Sequence, residues 1–369
     1  MGGMEYPTLI TGDANVLDPT EVLEVTAEHE FGHQYWYGMV ATNEFEDAWL
    51  DEGINSYTET KVTAALLGQH TGVFQKPWSN LSDAALQYIQ YSADPDYDPV
   101  TRFAWKFRNA ASYGTITYGK SATLLRTLDG LVGEDTMDEA MRTYFLRYRF
   151  QHPTTQDFLN TIEEVAVRRG RATAVYATGS PAAALDVINL DIGRNNPFKL
   201  STPEPVFDQS AKPRILIDSS LRPFFRQAVY GTAEMDYAVD AIASGPVDWW
   251  KDHPDWKLLR STVTVHRIGD FILPVTMEVI FADGTRRREQ WAPDPADVAA
   301  NTRWHTWTYI GRNGKIVSAE VDPDHLLAMD LNRFNNSRTL AANPIPALKI
   351  TNAWLTVTQF AEQIAGWLV

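Results

Sequence analysis

Cysteine is absent from all 369 residues. No disulfide framework and no thiolate metal site can form, so any transition metal must be held by histidine and carboxylate. Positive charge is scarce as well: 32 Lys and Arg stand against 47 Asp and Glu, for a formal net charge of -15. Nucleic acid is not an expected partner, because phosphate binding needs a basic face that releases counterions. Acidity favours solubility and the approach of cationic substrates. Long apolar runs are also missing. The last apolar segment, Leu348 to Val369, is interrupted by Thr351, Asn352, Thr356, Thr358, Gln359, Glu362 and Gln363. It falls short of the roughly 20 uninterrupted apolar residues of a membrane span and is expected as a C-terminal amphipathic helix over 341–369. Such a helix docks on a partner, a membrane surface or, most commonly, its own domain. The first residues, Met-Gly-Gly-Met-Glu-Tyr-Pro, have neither the basic start nor the apolar stretch of a signal peptide.

What is present fits a soluble, folded protein. The apolar share of 44% and charged share of 21% are ordinary for globular chains, and the length suggests two or three domains. Helix is expected from 18 to 38, with Asp18 as N-cap, Pro19 at the first position and Glu21 completing a capping box. A second helix is expected over Ala48 to Leu67. Residues 68 to 117 are aromatic and polar without a clear period, after which Tyr118 to Leu131 and Asp135 to Tyr148 read as helices. His152-Pro153-Thr154 breaks the chain, and Thr155 is expected to cap a helix through Ala166. Residues 167 to 220 carry several Pro and Asn and no sustained period, and read as an insertion or linker. An aromatic-rich helical pattern returns from Leu221 to Ala243. Beyond Arg260 the period becomes two, through Val263, Val265 and Phe271 to Phe281, with Asp283-Gly284 as a hairpin turn before Arg286 to Trp291.

The chemistry lies near the start. In His29-Glu30-Phe31-Gly32-His33 two imidazoles are one helical turn apart, so both can reach one ion from the same face. Zinc suits imidazole and carboxylate, and a catalytic site takes three protein ligands and leaves a fourth position for water. Glu52, 19 positions after His33, is expected to be the third: the interval lets one helix finish and the next begin at Trp49-Leu50-Asp51-Glu52-Gly53. Glu30 points about 100° away from its neighbour, toward the metal-bound water, where a carboxylate can act as base. An isolated motif of this kind also occurs on surface helices with incidental histidines; the glutamate at this spacing argues against that.

These residues resemble the aminopeptidase N and leukotriene hydrolase family of zinc peptidases, the gluzincins. The resemblance rests on Gly2-Gly3-Met4-Glu5, His29 to His33, Trp49 to Gly53 and Tyr118-Gly119-Lys120-Ser121, and extends more loosely through Leu221 to Val239 and the alternating strands. It implies that one catalytic zinc ion is held by His29, His33 and Glu52, and that Glu30 is the base. It implies further that Gly2, Gly3 and Met4 form an edge strand beside the substrate. Glu5 would bind the free α-amino group, an ion pair that is physically sound. Tyr118 would donate to the oxyanion, with Tyr113 as the competing candidate. Tyr6 stands where the family has Asn, and Ser121 where it has Gly. Glu59, two turns after Glu52, either accepts the second ring hydrogen of a zinc-bound histidine or is a solvated helix residue. His70, His152, His253, His266, His305 and His325 fall in no motif.

The expected fold is therefore α+β: a thermolysin-like, mainly helical zinc peptidase domain over 1–166, without the β domain that usually precedes it in the family. The insertion over 167–220, closing helices over 221–250, a β-sandwich module over 251–340 and the C-terminal helix follow. The expected activity is removal of the N-terminal residue from peptides with a free N-terminus. An endopeptidase or epoxide hydrolase on the same site, and a non-catalytic scaffold, are the alternatives. Glu5 speaks for the first activity, since its carboxylate has a purpose only where an amine is bound. Nothing in the sequence points to a compartment or an oligomeric state.

Overall fold

The computed structural model describes residues 2–12, 22–68, 74–76, 79–172, 174–175, 218–219, 221–247, 258–292, 303–311, 314–341 and five positions between 345 and 355. The chain opens with a short antiparallel pair, β1 (Gly3–Met4) and β2 (Thr11–Gly12), and then α1 (Val22–Gly32). Residues 13–21, where the N-cap and capping box of this helix are expected, lie outside the described residues. The helix does not run on to residue 38. After Gly32 the chain tightens into turns, Trp36 N–H to Gly32 O at 3.1 Å and Gly38 N–H to His33 O at 2.8 Å, with Tyr37 at φ 105°.

Helix α2 (Glu44–Leu67) begins earlier than its apolar pattern suggests, because the Asn43 side chain accepts from Phe45 N–H at 3.2 Å and supplies the cap. A kink at Asp47 divides the capped turn from the body. A hairpin, β3 (Phe74–Lys76) and β4 (Ser79–Leu81), precedes α3 (Asp83–Ala93), capped by Ser82 accepting from Ala85 N–H. α3 lies in a stretch with no readable period. Next come a single tight turn at Ala104–Lys106, the short α4 (Ala110–Gly114), and a π-helical segment, Thr115–Lys120, that leads into α5 (Ser121–Val132). Tyr118 thus sits in the widened turn and not in the regular helix. α6 (Glu134–Tyr148) and α7 (Thr155–Arg168) complete the helical layer. Thr154, not Thr155, caps α7: its hydroxyl meets Asp157 N–H while the Asp157 carboxylate accepts from Thr154 N–H at 2.9 Å, the reciprocal arrangement of a capping box. Thr155 instead accepts from the Trp49 indole at 2.8 Å and donates to Asp47.

Most of 167–220 falls outside the described residues. Its ends do not: β5 (Ala174–Val175) pairs antiparallel with β6 (Asp218–Ser219), so the chain departs and returns at one place. The helix expected from Leu221 to Ala243 is only α8 (Arg222–Ala228), and residues 237–246, expected among closing helices, are the strand β7 (Tyr237–Pro246). The apolar residues there serve a sheet. Tyr237 and Val239 alternate inward, and β7 pairs along its length with β8 (Leu259–Arg267).

The remaining strands are β9 (Val275–Phe281), β10 (Arg286–Trp291), β11 (Trp304–Gly311), β12 (Ile316–Val321) and β13 (Ser337–Thr339). They form two antiparallel sheets in the orders β11-β8-β7 and β10-β9-β12-β13. Val275, Met277, Val279 and Phe281 of β9 alternate into the core with Val263 and Val265 of β8, the period-two pattern of sheets facing each other. The β9–β10 connection is the expected Asp-Gly turn, with the Asp283 carboxylate accepting from Thr285 N–H at 2.9 Å. Most of the C-terminal segment 341–369 lies outside the described residues. Among the described residues no helix is long and apolar enough to cross a membrane.

The helical layer and the sheets share one core, running from Trp49, Leu50, Ile54 and Tyr57 of α2 through Leu124, Leu125 and Leu128 of α5 to Phe224 and Phe271. Polar ties fix the contact. Tyr88 and Tyr91 hydroxyls donate to Leu331 and Met329 carbonyls, and the Gln227 amide brackets Ile272, donating to its carbonyl at 2.9 Å and accepting from its N–H at 2.7 Å. Gly130 of α5 passes so close to the 326 loop that a Cβ there would lie 2.6 Å from Leu326 O and 3.0 Å from Leu326 Cα. Gly130→Ala should therefore lower stability by roughly 1–3 kcal/mol, read from the urea midpoint, although helix propensity alone predicts a gain of about 1 kcal/mol. An increase would mean that the two layers do not meet as described.

Candidate metal centre

The last turn of α1 carries His29 and Glu30, His33 is the first residue beyond it, and the body of α2 carries Glu52. The packing of the two helices brings four expected residues together. His29 Nε2 and His33 Nε2 are 3.1 Å apart, and Glu52 Oε2 lies 3.2 Å from the first and 3.1 Å from the second. A tetrahedral ion with bonds of about 2.0–2.1 Å places its ligand atoms roughly 3.3 Å apart, so this triangle has the dimensions of three corners of such a site. The donor set, two imidazoles and a carboxylate, fits zinc. His33 is buried and the other two nearly so.

Each imidazole is held from behind. His29 Nδ1 meets Glu59 Oε2 at 2.6 Å, the arrangement the two-turn spacing from Glu52 allowed. With Nδ1 protonated, the Nε2 lone pair faces the triangle. His33 Nδ1 donates to Trp36 O at 3.2 Å, which the turns after Gly32 make possible. Asp51 Oδ1 lies 2.8 Å from the same nitrogen, but it has no hydrogen bond of its own because the ring N–H is directed at the carbonyl. The Asn55 amide donates to His29 O at 2.7 Å. Asp51, Asn55 and the Trp36 carbonyl were not read as site groups from sequence. Asp51 and Asn55 could have been, since they lie beside and one turn beyond Glu52 on the face turned to α1.

The protonation of the metal-free cluster follows from its charges. Burial alone would lower both imidazoles, but Glu52 and Glu59 hold His29 at about 9, and Asp51 and Glu52 hold His33 at about 11. Burial alone would raise Glu52, and the two histidines outweigh it and bring it down to about 2. Glu30 is pushed up by burial, opposed by His29 and His33 and reinforced by Glu5 and Glu52. Its Oε2 has no hydrogen-bond partner among the described residues.

β1 crosses directly over Glu30: a Cβ on Gly3 would lie 2.1 Å from Glu30 Oε1, so a side chain there would displace the Glu30 carboxylate. Gly2 is exposed beside it, Met4 is exposed, and the Glu5 carboxylate lies within 4.8 Å of both Glu30 and a His33 nitrogen. The Tyr118 hydroxyl donates to Glu52 Oε1, and its ring stacks on His29 with centroids 5.8 Å apart. Burial and then the Glu52 charge raise this phenol well above its ordinary range, so it is a donor throughout. Tyr113 packs its ring on Phe107 instead. Ser121 directs its hydroxyl back to Ile116 O at 2.8 Å and closes the π-helical turn that carries Tyr118.

Residues 1–176 match the Peptidase family M1 domain. The chain is similar to leucine aminopeptidase 2-1 of Meyerozyma guilliermondii, at 26% identity over 175 residues, covering 44% of this chain and 26% of that protein. It is likewise similar to human aminopeptidase RNPEPL1, at 26% identity over 248 residues, covering 62% of this chain and 33% of the relative. A crystal structure of an M1 zinc metallopeptidase from Deinococcus radiodurans aligns at a TM-score of 0.35 with 18% identity, over 49% of this chain and 38% of the other. The chain spans about a quarter to a third of the length of these two curated relatives.

Metal uptake must compete with protons here. Because His29 and His33 of the metal-free protein are raised from the ordinary 6.5 to about 9 and about 11, they are charged near neutral pH and must discharge to bind. Zinc affinity should rise steadily from pH 6 to about pH 9 with release of protons. Calorimetry in buffers of differing ionisation enthalpy measures both. Affinity that is flat over this range would mean that the two imidazoles are not the ligands.

Proposed function

We propose that this chain carries the catalytic site of a zinc-dependent aminopeptidase with a thermolysin-like arrangement, hydrolysing the N-terminal peptide bond of peptides with a free amino group. The observation that carries this reading is the meeting of three groups of residues at one place: the His29–His33–Glu52 triangle, the unpartnered oxygen of Glu30 beside it, and the Glu5 carboxylate within 4.8 Å of Glu30. The match of residues 1–176 to the Peptidase family M1 domain supports it.

Held by His29, His33 and Glu52, one zinc ion would polarise the scissile carbonyl and acidify the attacking water. Glu30 takes that water's proton and returns it to the leaving amine. Its raised affinity for protons suits both halves of the transfer, since a base works best when its pKa lies near the operating pH. The Tyr118 hydroxyl, fixed as a donor, turns from Glu52 toward the oxygen on which negative charge develops. Glu5 receives the substrate ammonium, which places the first peptide bond, and not a later one, over Glu30. Among the described strands β1 is paired on one side only, with β2. An extended substrate peptide would lie along Gly2 and Gly3 and pair with their backbone, with Met4 alongside. An endopeptidase would gain nothing from an acid so close to the base, and an epoxide hydrolase would need no ammonium partner.

A panel of aminoacyl-coumarin substrates, free and N-acetylated, tests this with zinc-loaded protein. Hydrolysis should be confined to free amines, and Glu30→Gln should reduce it by about 10²–10⁴-fold while zinc stays bound. Tyr118→Phe should reduce kcat by roughly 10²-fold with little change in KM. Glu5→Gln should act mainly on KM for free-amine substrates. Cleavage of acetylated substrates would move the assignment to an endopeptidase, and zinc binding without any turnover would favour a scaffold.

A further inference from the structure

Asp83 is the first residue of α3 and is 1% exposed. It is poorly served by donors. Gln87 reaches Oδ1 at 3.4 Å, the long limit of a hydrogen bond, and Oδ2 has no partner among the described residues. What Asp83 does meet is another carboxylate, that of Glu59, itself only 6% exposed. Glu59 already accepts from His29 Nδ1 at 2.6 Å. Two carboxylates in contact and out of water cannot both be ionised. Glu59 has the imidazole N–H as its donor. Asp83 has no such donor, so a proton placed on it would supply the hydrogen bond that the pair otherwise lacks.

We propose that Asp83 is a positioning residue that stays protonated and donates to Glu59, so that an Asp83–Glu59–His29 chain fixes the tautomer and ring orientation of His29. This rests on the reading of His29, His33 and Glu52 as the zinc site. Burial, and then the charge of Glu59, push the Asp83 carboxyl up to about 9, the direction the assignment requires. The chain begins on α3, crosses α2 and ends on α1, and therefore ties three helices to one metal ligand. With Glu59 held on both of its sides, the His29 Nδ1–H has one fixed acceptor and Nε2 stays aimed at His33 and Glu52.

The test is zinc dissociation from the full chain near neutral pH, by competition with a chromophoric chelator, alongside the thermal midpoint of the metal-free form. Asp83→Asn keeps a donor of the same shape and should stay within about three-fold of wild type, whereas Asp83→Ala should bind zinc about 10–100-fold more weakly, the usual cost of losing such an outer partner. A buried protonated carboxyl should also appear in the infrared spectrum of the metal-free wild type and vanish in Asp83→Asn. The proposal is overturned if Asp83→Ala lowers only the thermal midpoint and leaves zinc affinity unchanged, or if Asp83→Asn binds as weakly as Asp83→Ala. Wild-type protein that takes up no zinc would overturn the site reading itself, and that result is seen before any variant is compared.

Discussion

Four side chains that α2 presents at intervals of four residues reach α1 and the turn that follows it: Asp51 touches the His33 ring, Asn55 the His29 carbonyl, Glu59 the His29 ring, and Thr63 the Glu28 carboxylate. All four are at least nine-tenths buried. A slip of one helix along the other would strand several of them without partners, and an unpaired buried polar group costs about 1–3 kcal/mol. The relative register of the two helices is thereby fixed, and the distances among His29, His33 and Glu52 follow from it. The geometry of the site is a property of this seam more than of any one ligand.

The seam is steady because α2 is anchored at its other face. Trp49 packs edge-on against Phe158, which in turn meets Tyr144, and the Trp49 indole is tied to Thr155 at the start of α7. Ile54 and Tyr57 continue that face into the core shared with α5 and the sheets. Apolar burial holds α2 in place, and α2 then dictates where the polar side chains point.

Much of the site was legible because its signals are local. His29 and His33 are one turn apart, Glu59 is two turns beyond Glu52, and such spacings survive whatever the tertiary fold does. Glu52 needed only enough chain to turn back. Asp83 was beyond reach, since its meeting with Glu59 depends on how α3 crosses α2 and no spacing encodes that. The misreading of residues 237–246 had a different cause. Their aromatic and aliphatic residues fit a buried helix or a buried strand equally well over so short a run, and the decision came from pairing with β8. The end of α1 was overrun for a related reason: the apolar pattern continues through Tyr35 and Trp36, but the backbone turns there and delivers the Trp36 carbonyl to His33.

A two-residue ladder joins Ala174–Val175 to Asp218–Ser219. It gathers both ends of the intervening stretch at one gateway, so α7 and α8 are joined as if by a short hairpin. Loop closure grows only logarithmically with the number of residues enclosed. A longer or shorter stretch between Val175 and Asp218 would therefore leave α7 and α8 where they are, at a cost in closure that changes by only about 0.6 kcal/mol per doubling of its length.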